Sequence, residues 1–294
     1  MKVYQNHAFI VADGANQHGM QVFDLTELRN VKVPRNFSTV AHYTQIASAH
    51  NIFINTETGY AYSVGGSSGG TTCGGGLHMI DIRNPGAPTF AGCFSDPMTG
   101  WSGTGYTHDV QCVVYQGPDA GYAGREVCFG SNESALSIAD VTNKQAPAAI
   151  SRASYPGVSY SHQGWLTADQ RYFLMNDELD ELYGEAGLTR TLIWDVADLD
   201  DPILVTEFYG PTGASDHNHY IHNGVMYASN YQFGMRMVDV SNPLAPAQIG
   251  YFDTAPNLAN SPGFNGSWSN YPFFPSGNIA ISSGGEGFFV VRRE

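Results

Sequence analysis

The chain has 294 residues, 42% of them hydrophobic and only 14% charged, with 34 glycines and 15 prolines. That balance supports a sizeable core, excludes wholesale disorder and suits many short strands joined by tight turns. Thirteen basic against 27 acidic residues leave a net charge of −14, which repels phosphate backbones and excludes nucleic acid as a partner.

From the N-terminus, the chain opens on an extended run, Val3 to Val11, with neither a charged n-region nor an apolar h-region. An apolar strand ending in Asp follows at 20–24 and recurs at 77–81, 136–140, 192–195 and 237–239; residues 287–291 are a sixth copy without the Asp. The acids Asp24, Asp81, Asp140, Asp195 and Asp239 lie 57, 59, 55 and 44 residues apart. Each is expected to cap its turn by accepting backbone N–H bonds. Asn- and Pro-rich turns follow most of them, as in Arg83-Asn84-Pro85, and then another apolar strand, such as 89–94 or 203–208. One strand precedes each Asp-ended strand, as at 59–64 and 171–175, and a fourth, innermost strand opens each unit near a His.

Four short strands per unit at a period of about 40–60 residues describe a propeller blade. The expected fold is therefore all-β, a β-propeller of about six four-stranded blades forming one domain over residues 1–294. The first unit starts at its second strand and the last stops at its third. One inner and one outer strand are thus expected to be missing at the seam, as if the natural protein were longer at its N-terminus.

The four cysteines, Cys73, Cys93, Cys112 and Cys128, form no CxxC pair, which sets aside zinc knuckles and thioredoxin-type sites. They are either core thiols or two disulfides. The strand map places Cys73 just before the third strand of one blade and Cys93 in its fourth, and Cys112 and Cys128 on the first two strands of the next, which predicts those two pairs. Disulfides place the chain in an extracellular, cell-surface or periplasmic setting. No apolar run of 18 residues is present, so no helical membrane span is expected.

The Asp-ended strands with their Asn-Pro turns resemble the LVIVD repeat. Ser161-His162-Gln163-Gly164-Trp165, Asn176 to Glu181, Asp216-His217-Asn218 and Asn265 to Tyr271 extend the likeness. Together these segments resemble the bacterial choice-of-anchor B family, and the resemblance implies a secreted, surface-attached propeller without a settled activity. Function must then be argued from the site.

Four histidines share one repeat position, at the start of the innermost strand: His50, His108, His162 and His217, at spacings of 58, 54 and 55 residues. Trp268 takes that position in the sixth unit. Second strands ending at the same mouth bring Asp13, Asn132-Glu133, Asn176-Asp177-Glu178 and Asn230-Tyr231. Two readings stand side by side. The histidines either bond neighbouring loops and fix blade geometry, or ligate a divalent ion (Zn, Mn, Cu or Ca) with Asp109, Glu133, Asp177, Glu178, Asn218 and Trp268 lining a ligand site.

The function expected is a binding or scaffold module for a small-molecule, glycan or surface-protein ligand. The alternative is a metal-assisted polysaccharide lyase or hydrolase with Tyr106, Tyr160 or Glu178 as base; no residue is assigned as catalytic. His219 should share a face with His217, and His222 should be a turn residue. The insertion carrying Asp180, Glu181 and Glu185 either caps the mouth or holds Ca²⁺. P-loop, GxGxxG and HExxH motifs are absent, and the Gly65-to-Gly69 match to GxSxG has no helix after it.

Overall fold

A computed structural model describes residues 1–293. Its contacts group into two compact units: Met1–Tyr115, Gly124–Asn132 and Ser137–Ile150 form the first, and Gln116–Ala123, Glu133–Leu136 and Ser151–Glu294 the second. The fold class is as expected, an all-β six-bladed propeller with almost no helix.

In the first unit, β1 (Lys2–Tyr4), β2 (His7–Ile10), β3 (Met20–Asp24) and β4 (Ala41–Tyr43) make one antiparallel meander. This corrects the expectation that the first blade lacks its inner strand. Gln5 and Asn6 adopt φ of 46° and 61°, so the run Val3 to Val11 folds back on itself and β1 supplies the fourth strand. Next come β5 (Ile46–Ser48), β6 (Asn51–Asn55), β7 (Tyr60–Val64), β8 (Ser68–Gly70), β9 (Leu77–Asp81) and β10 (Thr89–Phe94). Strands β6, β7, β9 and β10 form the second blade, while β8, within the glycine-rich loop, pairs with β5. The third blade is β11 (Asp109–Val114), β12 (Glu126–Ser131), β13 (Leu136–Asp140) and β14 (Ala148–Ala153).

In the second unit, β15 (Ser161–Leu166), β16 (Tyr172–Asp177), β17 (Arg190–Asp195) and β18 (Ile203–Tyr209) form one sheet, with helix α1 (Asp180–Tyr183) between β16 and β17. A second comprises β19 (His219–His222), β20 (Val225–Ser229), β21 (Met235–Asp239) and β22 (Ala247–Phe252). The last, β23 (Ser267–Tyr271), β24 (Asn278–Ser283) and β25 (Gly287–Arg292), has three strands among the described residues, in keeping with the expectation that the last unit stops at its third.

Every Asp that ends a third strand caps its turn. Asp24, Asp81, Asp140, Asp195 and Asp239 accept from the N–H two residues on, at 2.8–3.0 Å. The repeat thus encodes a strand and its stop signal together. Alternate strand residues meet between neighbouring blades. Phe9, Met20 and Val22 pack on Ile52, Ile54 and Ile80 in the first unit, and Leu174 and Ile193 pack on Ile221, Met226 and Val238 in the second. Each such fully buried side chain contributes about 1.5–3 kcal/mol.

Both cysteine pairs form as expected: Cys112 and Cys128 face each other across β11 and β12, and Cys73 bridges to Cys93 of β10. One of only three lysines is buried. Lys144 Nζ lies 2.7 Å from Glu126 Oε2, while Asn55, Thr58 and Tyr62 donate to Glu126 Oε1. Complete pairing is what makes such a buried charge tolerable.

Candidate metal and ligand site

The repeated histidines fall in two pairs, one in each unit. In the first unit the rings of His50 and His108 lie 3.9 Å apart, centroid to centroid. His50 Nδ1 is 2.9 Å from Asp13 Oδ2, and Ser48 Oγ and the Gly14 N–H donate to Asp13 Oδ1. Burial pushes the Asp13 carboxyl up, but the bonds from His50, Gly14 and Ser48 outweigh it and hold the group below its usual range. Asp109 is buried, its Oδ1 accepting the Val110 N–H and its Oδ2 the Asn51 amide. Burial pushes its carboxyl up.

The second unit builds a different arrangement from the same repeat position. His162 occupies a register shift between Ser161 and Gln163 of β15, and Trp268 occupies the same shift between Ser267 and Ser269 of β23. A bulge adds one residue to a strand and re-aims its side chain. The strand entry is fixed by Glu133, which exchanges backbone bonds with Ser161. His217 precedes β19, and its carbonyl accepts from the Asn176 amide of β16.

These placements bring His162 and His217 to one carboxylate. His162 Nε2 is 3.7 Å from Glu178 Oε2, and His217 Nε2 is 3.7 Å from Glu178 Oε1. The His217 Nδ1–H donates to the Trp268 carbonyl oxygen, which leaves the Nε2 lone pair facing Glu178. Tyr231 donates to Glu178 Oε1 at 2.5 Å. Burial first, and the Glu178 charge second, push the Tyr231 phenol well above its ordinary value, so it stays a neutral donor.

Tyr231 is itself held in an uncommon conformation, with φ of 38°. Its backbone exchanges two hydrogen bonds with Ser267, and Gly266 sits at φ 102°, where a Cβ would collide with the Tyr231 carbonyl. Glycine is required there because two backbones meet at the site.

Around a tetrahedral metal at about 2.0–2.1 Å the ligand atoms stand about 3.3 Å apart. The ligand atoms of His162, Glu178 and His217 all lie within 4.8 Å of one another, somewhat wider than that spacing. Two other groupings among the described residues bring donor atoms within 4.8 Å of one another. One, Cys73–His78–Cys93, is occupied by a disulfide; the other, Asp119–Asp198–Asp200, is largely exposed and spent on turn N–H groups and the Tyr122 hydroxyl. His50 and His108 belong to none of the three.

The remaining candidates take other places. Asp177 accepts from the N–H groups of Ser159, Tyr160 and Leu179 and from the Tyr155 hydroxyl, so it clamps the loop that presents Glu178. The Asn218 amide donates to the Trp268 carbonyl. Tyr160 contributes its carbonyl to the Glu178 N–H, while the Tyr106 ring packs under Gly65 and Gly75 in the first unit. His219 bonds the Leu174 carbonyl, and burial lowers its pKa to about 4, so it stays neutral. His222 lies at the strand end against Asn223 and Phe273. The acids of the insertion hold an arginine: Arg190 Nε donates to Asp180 Oδ2 at 2.8 Å and the Arg190 N–H donates to Glu181. Asp216 was not singled out by sequence, yet it is buried in this group and pushed well above its usual value by burial and then by Glu181, Asp180, Asp177 and Glu178.

Comparison with known proteins gives the fold a context. Residues 72–96 and 230–254 match the LVIVD repeat, so the expected repeats are present. No curated protein matches the sequence. Among solved structures, the chain is similar to a Lactobacillus plantarum protein (11% identity, TM-score 0.65, covering 99% of this chain and 80% of that one). It is also similar to the periplasmic gluconolactonase PpgL of Pseudomonas aeruginosa (12% identity, TM-score 0.66, 94% and 75% covered). A third likeness is to a candidate 6-phosphogluconolactonase from Bacteroides fragilis (11% identity, TM-score 0.55, 98% and 90% covered). At these identities the likeness concerns the fold alone.

Proposed function

We propose that the protein is an exported propeller that holds a divalent transition metal between His162, Glu178 and His217 and presents it to a polar ligand. The observation that carries this reading is the pair of imidazole Nε2 atoms, each 3.7 Å from a different oxygen of Glu178. Two features of the surroundings fit. The His217 Nδ1–H is committed to a carbonyl and Tyr231 braces the carboxylate, the kind of support that orients metal ligands. Two imidazoles with one carboxylate favour Zn²⁺ or Cu²⁺ over Ca²⁺, which prefers an all-oxygen shell. The two disulfides favour an oxidising compartment, in keeping with secretion and surface attachment.

A second reading, hydrolysis assisted by the same metal, is favoured by the likeness to two lactonase-type propellers. A bound divalent ion would polarise an ester carbonyl and lower the pKa of water. Elemental analysis and zinc titration of protein made in an oxidising compartment test the first reading. We expect one equivalent per chain, lost in His162→Ala and retained in His108→Ala. Metal retained in His162→Ala, or none in the unaltered protein after zinc titration, would overturn it.

A further inference from the structure

The geometry points to the exposed ring of Trp268 as a stacking platform for a neutral, unphosphorylated sugar ring, an inference that rests on the metal site proposed above and adds its ligand class. Trp268 is 45% exposed although it stands beside buried groups, its ring 4.4 Å from that of His217. Phe264 is 46% exposed and meets the Tyr231 ring edge-on at 5.5 Å, and Trp268 meets Tyr231 the same way at 5.9 Å. Two open aromatic rings thus flank a buried one whose hydroxyl is bonded to Glu178. Apolar walls with a few convergent polar groups are the ordinary make-up of a small-molecule site. The C–H face of a pyranose matches an indole face, and its hydroxyls find acceptors in Glu178 and in the Asn218 amide oxygen.

Charge selects the class. Residues 151–294 contain no lysine. Arg190 is already engaged by Asp180, Glu207 and the carbonyls of Pro156 and Gly157. A bound divalent ion would set its charge against Glu178, while Asp177 is spent on four hydrogen bonds and Asp180 on Arg190. The site so loaded offers an ammonium ligand no carboxylate that is not already engaged, and Arg190 is not available to grip a phosphate.

The test uses the zinc-loaded protein with three probes at low salt: methyl β-D-glucopyranoside, glucose 6-phosphate and choline. Binding is read by saturation-transfer NMR and tryptophan emission, with zinc content and thermal melting recorded on the same samples. We expect the glucoside to bind, roughly tenfold weaker in Trp268→Ala and largely restored in Trp268→Phe, with zinc content unchanged in both. Glucose 6-phosphate and choline should bind at least about tenfold more weakly than the glucoside. Glucoside binding unaffected by Trp268→Ala, or either charged probe binding as tightly as the neutral one, would overturn the inference. Trp268-dependent glucoside binding by a protein that takes up no zinc would remove the metal site and leave the platform. Bound zinc with no glucoside signal would do the reverse.

Discussion

His50 and His162 occupy the same place in the repeat, and each has a second repeat histidine stacked against it, at 3.9 Å for His108 and 4.5 Å for His217. Their surroundings part company at the nearest carboxylate. Asp13 lies 2.9 Å from His50 Nδ1 and is itself half open to solvent. Glu178 instead stands 3.7 Å from the Nε2 atoms of two buried imidazoles and is steadied by a tyrosine hydroxyl. The first arrangement is a hydrogen-bonded pair that ties two loops; the second is a gap with three donors around it. The repeat supplies position, and residues outside its pattern decide what the position does.

The sharpest way to break this contrast is to remove each carboxylate in turn. Glu178→Ala should weaken zinc binding more than about a hundredfold, because even residues that only brace a ligand are worth about 10–100-fold. Asp13→Ala should leave zinc affinity unchanged. Competition with a chelating dye measures both, and a comparable loss in the two variants would erase the distinction between the units. A smaller effect is expected from Tyr231→Phe, which keeps the ring and removes only the hydroxyl that steadies Glu178 Oε1. Zinc affinity should fall by up to about tenfold with the melting temperature nearly unchanged. An unaltered affinity would mean that Tyr231 packs against the site without positioning the carboxylate.

Much of the fold was legible because five of the six blades repeat the same stop signal. The five capping Asp residues mark third strands, and the same map sets Cys73 just before, and Cys93, Cys112 and Cys128 on, strands that are neighbours. The β1–β2 turn escaped notice because Gln5-Asn6 lacks the glycine that usually announces a left-handed turn, although Asn tolerates that conformation. The histidine period marked His162 and His217 but could not separate them from His50 and His108, which lie in the first unit. The bulges that re-aim His162 and Trp268 depend on strand register, and register leaves no mark on residue identity here. Nor could the sequence separate Glu178 from Asp177: the strand ends at Asp177 and Glu178 opens the turn, and only the structure shows that Asp177 is spent on four donors.

The smallest effect expected concerns acid stability in the first unit, where His50 is paired with Asp13. The Asp13 carboxyl titrates below its ordinary value of 3.8 in the folded chain, since bonds from His50, Gly14 and Ser48 outweigh the upward push of burial. A carboxyl with a depressed folded value stabilises the native state above its unfolded pKa, and that contribution fades as pH falls through the folded value. Because the Asp13 side chain is 54% exposed, solvent screening limits the pair to about 0–1 kcal/mol. Asp13→Asn should therefore lower the melting temperature by a degree or two at pH 5 and above. The difference from the unaltered protein should shrink steadily below about pH 4 and vanish near pH 2. Thermal melts across that range measure it directly. A difference that stays constant down to pH 2 would show that Asn at this position costs packing or a hydrogen bond rather than charge, and the Asp13 charge would then contribute nothing to holding its loops together.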